Sequence, residues 1–355
     1  AFSIAELAPG TWRVEISAPG HKTHVQRLTI EVNQERRADA QLQVGALTDR
    51  VEVTAPLAEV RRDSPAVGTV VENRQILDMP LDGRNFLELT LLAPGAVPAA
   101  PGSAGSVRGD FSFSVNGGRE DFNSFLLDGA DNVDPKLNTA GVRPPVDAIQ
   151  EFEVLTSTPE ASHGRQAASQ ISVVLKSGSN QLQGTAYTFA RNGVLDAANY
   201  FAPRGEPDPE YRRAQSGFSL GGPLVRDRMF FFGDYEGTRA DEGITRISTV
   251  PTDAARSAIP AFLTHPVGRA IAALYPSPNR SGTTGNYVTS PTQRDHTDHF
   301  DVRSDTAFGG SFDVTARYSF ADRRLFEPFS GPGFSSLPGY GSDVARRGQN
   351  FVGSA

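Results

Sequence analysis

Two groups of side chains along this chain have the types and spacing for chemistry. Asp128, Asp131, Asn132 and Asp134 place four oxygen-bearing residues within seven positions, a set that could hold Ca²⁺. The EF-hand alternation of acids followed by glycine is absent, so an Asx-rich turn is the plainer reading. His296 and His299 stand with Asp295 and Asp298 in the second group. On a helix, two histidines three apart would share a face and could hold zinc. Their segment leads into a strand, where three apart means opposite faces, so a polar strand end is expected instead. No metal is expected at either place, and no cofactor.

Catalytic patterns find no support. Asn116-Gly117-Gly118-Arg119 lacks the Gly-Lys-Ser/Thr of a phosphate loop, and its glycines suit a tight turn or close backbone packing. Gly102-Ser103-Ala104-Gly105 falls one residue short of a nucleophile elbow. The chain has no Cys, which removes disulfides, thiol nucleophiles and thiolate metal sites. Arg119, Arg143 and Arg165 are candidates to pair with acids such as Glu151 and Glu153.

The elements that must position these residues are mostly strands. Residues 1–54 alternate in period two: Trp12, Val14 and Ile16 oppose Arg13, Glu15 and Ser17, and Pro19-Gly20 breaks the run. Leu28, Ile30 and Val32, then Leu42 and Val44, then Val51 and Val53 repeat the pattern. An antiparallel β-sandwich is expected, with Trp12 in its core. Residues 55–72, with Pro56, Arg61, Arg62, Asp63 and Pro65, read as a linker. Residues 73–182 read as a mixed α+β unit: short helices at 75–78 and 85–92, strands near 112–116, 124–128, 150–156 and 170–176. The Gly-, Ala-, Pro- and Ser-rich stretch 96–112 is expected to be mobile.

From 183 onward the strands change character. Phe300, Val302, Thr306 and Phe308 face one way; Asp301, Arg303 and Asp305 face the other. Gly309-Gly310 supplies a two-residue turn. The return strand sets Phe312, Val314, Ala316, Tyr318 and Phe320 against Asp313, Thr315, Arg317 and Ser319. Arms of about ten residues with one apolar and one charged face are the mark of a transmembrane β-strand pair. Gly184–Asn192, Gly217–Val225 and Met229–Thr238 read as further strands, and 252–276 as a loop with two short helices.

Composition agrees. The 35 glycines and 25 prolines make up about 17% of 355 residues, against about 12% in average usage. A net charge of −7 without a basic patch argues against nucleic acid. No apolar run approaches the roughly 18 residues of a membrane helix. Both ends fall inside strand-like patterns, so the chain is expected to be an internal piece of a longer protein, and a missing signal peptide says nothing.

The order of motifs resembles TonB-dependent outer-membrane receptors of the Oar-like type. Pro9-Gly10-Thr11-Trp12-Arg13-Val14 and Ala18-Pro19-Gly20-His21 resemble their N-terminal carboxypeptidase-regulatory-like domain. Val51, Glu52, Val53, Thr54 and Ala55 resemble a TonB box, the strand that couples to the energising protein. Leu81-Asp82-Gly83-Arg84-Asn85, Asn116-Gly117-Gly118-Arg119 and the run Asp128-Gly129-Ala130-Asp131-Asn132 resemble the plug. Val173-Val174-Leu175-Lys176-Ser177-Gly178 closes it, and Phe230-Phe231-Phe232-Gly233-Asp234-Tyr235 resembles the barrel entry.

The resemblance implies a mainly β chain: a partial β-sandwich (1–54), a linker beginning near the TonB box (55–72), an α+β plug (73–182) and the first strands of an incomplete antiparallel transmembrane barrel (183–355). It implies energised uptake of a scarce or bulky solute, with glycans and peptides as candidates. A TonB-type coupling protein and outer-membrane lipid are the implied partners. The implied location is the outer membrane, with the N-terminal domain and plug toward the periplasm. No enzyme activity is expected. The alternative is a surface or periplasmic carbohydrate-binding or adhesion protein acting through the N-terminal sandwich.

Overall fold

Alternating apolar and polar residues become strands along most of the chain. The computed structural model describes residues 4, 7, 10–31, 38–45, 50–54, 67–100, 111–157, 168–197, 209–258, 265–308, 312–329, 337 and 339–354. They divide into two units. The first comprises Ala1–Ala99, Ser112–Ala140 and Ile149–Leu175; the second comprises Ala100–Phe111, Gly141–Ala148 and Lys176–Ala355.

The first unit begins with β1 (Gly10–Ile16), β2 (Thr23–Ile30) and β3 (Arg50–Thr54), in the order β1-β2-β3. β1 and β2 are antiparallel, turning at Gly20 with φ +75°. β3 lies parallel to β2, from Thr23 opposite Arg50 to Arg27 opposite Thr54. The described residues therefore form one sheet with a parallel pair, where an antiparallel sandwich was expected. The long connection between Ile30 and Arg50 permits this, since parallel neighbours need a crossover of a dozen or more residues. Trp12 is not in a core: it keeps 39% of its surface exposed, while Val25 and Leu28 of the central strand are buried. Among the described residues its strand is at the edge of the sheet, paired with β2.

Then come β4 (Val67–Glu72), α1 (Asn73–Asp78) and a 3-10 helix at Phe86–Leu92. β5 (Ala96–Pro98) pairs with β6 (Phe113–Val115), and β7 (Asn123–Leu127) with β8 (Ala130–Asp131). β9 (Val133–Asp134) pairs with β10 (Thr139–Ala140); β11 (Ile149–Ser157) and β12 (Ser169–Leu175) follow. The main sheet runs β4-β11-β12-β7-β8, with β12 and β7 parallel and the other neighbours antiparallel. Residues 67–72, read as linker, are thus an edge strand with Val71 buried; 55–66 lie outside the described residues. The expected mobile stretch holds β5, and its 101–110 segment also lies outside them.

Local sequence explains these elements. α1 ends at Met79, extended at ψ 136° as the residue before Pro80 must be. Asn85 caps the 3-10 helix by accepting from Leu87 N at 3.3 Å, and Phe86, Leu87 and Leu89 turn inward. Phe86 meets Phe152 edge-on at 5.6 Å, and Phe113 meets Phe125 at 6.4 Å. The central strands β11 and β12 are buried on both faces, including Glu153.

The second unit is an antiparallel meander of long strands: β13 (Gln183–Asn192), β14 (Tyr211–Val225) and β15 (Met229–Gly243). The small pair β16 (Arg246–Ser248) and β17 (Tyr287–Thr289) flanks α2 (Asp253–Ser257) and α3 (Pro266–Ala273). β18 (Thr292–Ala307), β19 (Asp313–Glu327) and β20 (Ser342–Ser354) complete an open sheet in the order β13-β14-β15-β18-β19-β20. The turn expected at Gly309-Gly310 lies outside the described residues, although Phe308 N donates to Phe312 O at 2.8 Å around it.

The distribution of polarity across this sheet is inverted relative to a soluble protein. Val302 and Phe351 are 55% and 73% exposed, while Asp301 and Arg317 are 0% and 1% exposed. The exposed face is apolar over Phe218, Leu220, Leu224, Phe300 and Phe320; the opposite face is polar and charged. Lipid on one side and a polar interior on the other produce that pattern. No described helix is long and apolar enough to cross a membrane, which says nothing of strands.

Candidate functional site

The residues singled out in the first unit are mostly turn chemistry. Asn116 and Gly117 both take positive φ, +51° and +74°, and Gly118 N donates to Val115 O at 2.8 Å. That is a type I′ turn, for which Asn-Gly is the preferred pair. Asn116 Nδ2 also donates to Thr156 O at 2.7 Å, tying the turn to the end of β11. Arg119 pairs with Asp121 at 2.8 Å; Arg165 lies outside the described residues. Asp128 and Gly129, at φ +47° and +77°, turn β7 into β8. Asp128 Oδ1 accepts from Leu175 N at 3.0 Å. Asp131 and Asp134 each accept from the backbone N two residues on, at 3.0 and 2.9 Å, as Asx-turns do. Asn132 N donates to Phe125 O at 2.8 Å. The Asn116 and Asp128 turns sit at opposite ends of β7, so the structure does not join them into one site.

Val51, Glu52, Val53 and Thr54 form β3, hydrogen-bonded along one edge to β2. Ala55 lies outside the described residues. Among the described residues, the other edge of β3 has no partner strand.

The polar face of the second unit carries several groups of hydrogen-bonded polar and charged side chains. Tyr187 Oη and Gln215 Nε2 donate to Glu236 at 2.7 and 2.8 Å, reaching across Gly217. Arg303 forks onto Asp305 at 3.0 Å, and Thr315 Oγ1 donates to the same carboxylate at 2.8 Å. Arg317 donates to Ser319 Oγ and, at 2.7 Å, to Asn350 Oδ1; Ser319 Oγ donates to Asp301. Arg323 grips Asp295 at 2.6 Å.

One cluster in this face stands apart. Asp234 on β15 lies directly across from Asp301 on β18, and His299 lies two residues before Asp301. His299 Nδ1 is 3.6 Å from Asp301 Oδ2 and 3.9 Å from Asp234 Oδ2. Neither ring nitrogen of His299, neither oxygen of Asp234, nor Asp301 Oδ2 has a hydrogen-bond partner. Among the described residues these three form the only group of converging His and acid ligand atoms. His296 points to the opposite face, as strand spacing requires, and meets Asp241 at 3.6 Å. In sequence Asp234 stands only within the barrel-entry motif and not as a ligand, because only the β15–β18 register brings it to His299. Outside the long strands, burial holds the Lys176 ammonium below the ordinary lysine range, partly offset by Asp147 and then Asp234.

Residues 174–355, half of the chain, match the family described as outer membrane beta barrel domain. The TonB-dependent transporter Oar of Myxococcus xanthus is 22% identical over 248 residues, covering 66% of this chain and 22% of that protein. The crystal structure of the outer membrane transporter YddB from Escherichia coli aligns with a TM-score of 0.51 at 11% identity, over 74% of this chain and 34% of that one. That structural likeness is one of fold. The chain spans about a fifth of the curated relative's length and about a third of the solved structure's.

Proposed function

Because this chain belongs to the outer membrane β-barrel domain family, we propose that it supplies the plug and opening barrel strands of a TonB-dependent transporter. The protein is an outer-membrane protein and not an enzyme. The observation that carries the reading is the inverted polarity of β13–β20, following in sequence a separate mixed α+β unit. We assign 1–54 to the regulatory-like domain, 73–182 to the plug and 183–355 to barrel, with the first two toward the periplasm. The solute is a scarce or bulky one that passive diffusion does not deliver. The carbohydrate-binding alternative is not favoured, since the relative of known role is a transporter.

The outer membrane holds no ATP, so uptake must draw on force passed from the inner membrane. The edge of β3 that has no partner strand among the described residues suits capture by a partner's sheet, because strand addition needs an unpaired row of backbone donors and acceptors. Adjacent residues point their N–H groups to opposite edges. Replacing both Glu52 and Val53 with Pro therefore removes a donor from the open edge, whichever residue supplies it. Calorimetric titration of the detergent-solubilised protein with the C-terminal domain of a TonB-type protein tests this. Affinity is expected to fall by at least about tenfold, the loss of a ladder hydrogen bond plus strand distortion. Equal affinity for both forms would remove β3 as the coupling strand.

A further inference from the structure

We propose that Asp234, His299 and Asp301 form a binding site for a first-row divalent transition-metal ion, zinc being the natural probe. All three side chains are at least nineteen-twentieths buried: 1%, 5% and 0% exposed. Their ligand atoms lie within 4.8 Å of one another. Tetrahedral zinc with donors at about 2.1 Å places those donors about 3.4 Å apart. The observed 3.6 and 3.9 Å are within a small side-chain adjustment of that value.

The electrostatics ask for a cation. Two buried carboxylates face each other across neighbouring strands, and a buried charge is costly unless it is paired or coordinates a metal. Among the described residues no Arg or Lys stands within ion-pair distance of Asp234 or Asp301. The nearby guanidinium groups are otherwise engaged, Arg303 on Asp305 and Arg317 on Ser319 and Asn350. His299 is the second, independent sign. A buried imidazole with neither nitrogen hydrogen-bonded, and Nδ1 aimed between two carboxylates, is poised as a ligand.

The ligand types choose the metal. One imidazole with two carboxylates and no thiolate suits Zn²⁺ or Mn²⁺, whereas Ca²⁺ and Mg²⁺ prefer oxygen alone. Three protein ligands leave a position for water. Bound there, the ion would clip β15 to β18 on the inward face of the sheet.

The test uses the full chain, stripped with chelator and reconstituted in lipid. Titration with Zn²⁺ is expected to load one ion that Asp234→Asn, Asp301→Asn and His299→Gln each weaken by at least about tenfold. Co²⁺ is a second readout: its visible absorption bands should appear in the parent chain and vanish in His299→Gln. The Asn replacements keep side-chain shape and relieve repulsion, so they should fold. Zinc should raise the unfolding midpoint of the parent chain more than those of the Asn variants at the same zinc concentration. Two results would overturn the proposal. One is no zinc uptake by the parent chain, which would point to a proton shared between the carboxylates. The other is equal uptake by all three variants, which would place the zinc elsewhere.

Discussion

Gly178 stands where the chain enters the barrel sheet, against the backbones of β14 and β15. A Cβ there would lie 2.3 Å from Phe231 O and 2.7 Å from Gly222 O. Both obstacles are backbone atoms inside paired strands, so neither can swing away as the end of a side chain could. Gly178→Ala is expected to destabilise the fold by about 1–3 kcal/mol, the usual cost of overpacking. A denaturant midpoint in lipid matching that of the parent would show that the entry is looser than this geometry. Single residues were legible in sequence where their own backbone set the requirement. Asn116-Gly117 and Asp128-Gly129 announce turns because both positions need positive φ. Their fixing partners were not legible: Thr156 lies 40 residues from Asn116, and Leu175 lies 47 from Asp128.

At the scale of elements, strand-like texture located β6, β7, β11 and β12, period-two alternation located the long strands from β13 to β19, and of β20 only the end from Gln349 was read as a strand. Three things escaped that reading, each for a physical reason. Parallel pairing, as in β2–β3 and β7–β12, leaves no mark on an individual strand. Register is likewise a property of pairs, so the meeting of Asp234 with His299 could not be read from either segment. Strand length was underestimated because the outward face turns charged partway along. Arg239 pairs with Asp298 at 2.7 Å and Arg347 with Asp322 at 2.9 Å, hiding the alternation that continues beneath. That change of character marks where hydrocarbon gives way to water. Val302 lies in the apolar stretch, beside Gly233 and Tyr318, whereas His296 lies among the outward charges. Val302→Arg is therefore expected to cost about 2–4 kcal/mol and His296→Arg about 0–1 kcal/mol, following the depth dependence of charge on a lipid-facing strand. Reversible unfolding in lipid vesicles measures both. Equal costs would mean that the apolar stretch does not meet lipid.

The second unit as a whole has unequal ends, and the inequality sets its orientation. At one end β14 passes to β15 through Arg226, Asp227 and Arg228, and β18 passes to β19 with similar economy. The start of β13 is tied to that same end, with Asn180 Nδ2 donating to Asp227 at 2.6 Å and Asp227 N to Asn180 at 2.9 Å. At the other end lie the long connections, including 244–291 with its two helices and the β16–β17 pair. Outer-membrane barrels keep short turns in the periplasm and send long loops outside. The outward charges on Arg239 and Asp322 belong to the long-connection end, consistent with strands of 13 to 16 residues that outlast the roughly 9–11 needed to cross. These 355 residues contain no Cys, so a single introduced thiol is the only one among them and can report the orientation. Asp253→Cys, on the exposed helix α2, is expected to react with a membrane-impermeant maleimide on intact cells. Arg226→Cys, at the short-turn end, is expected to react only after the outer membrane is permeabilised. The reverse pattern would invert the sheet and put the β13 end outside the cell.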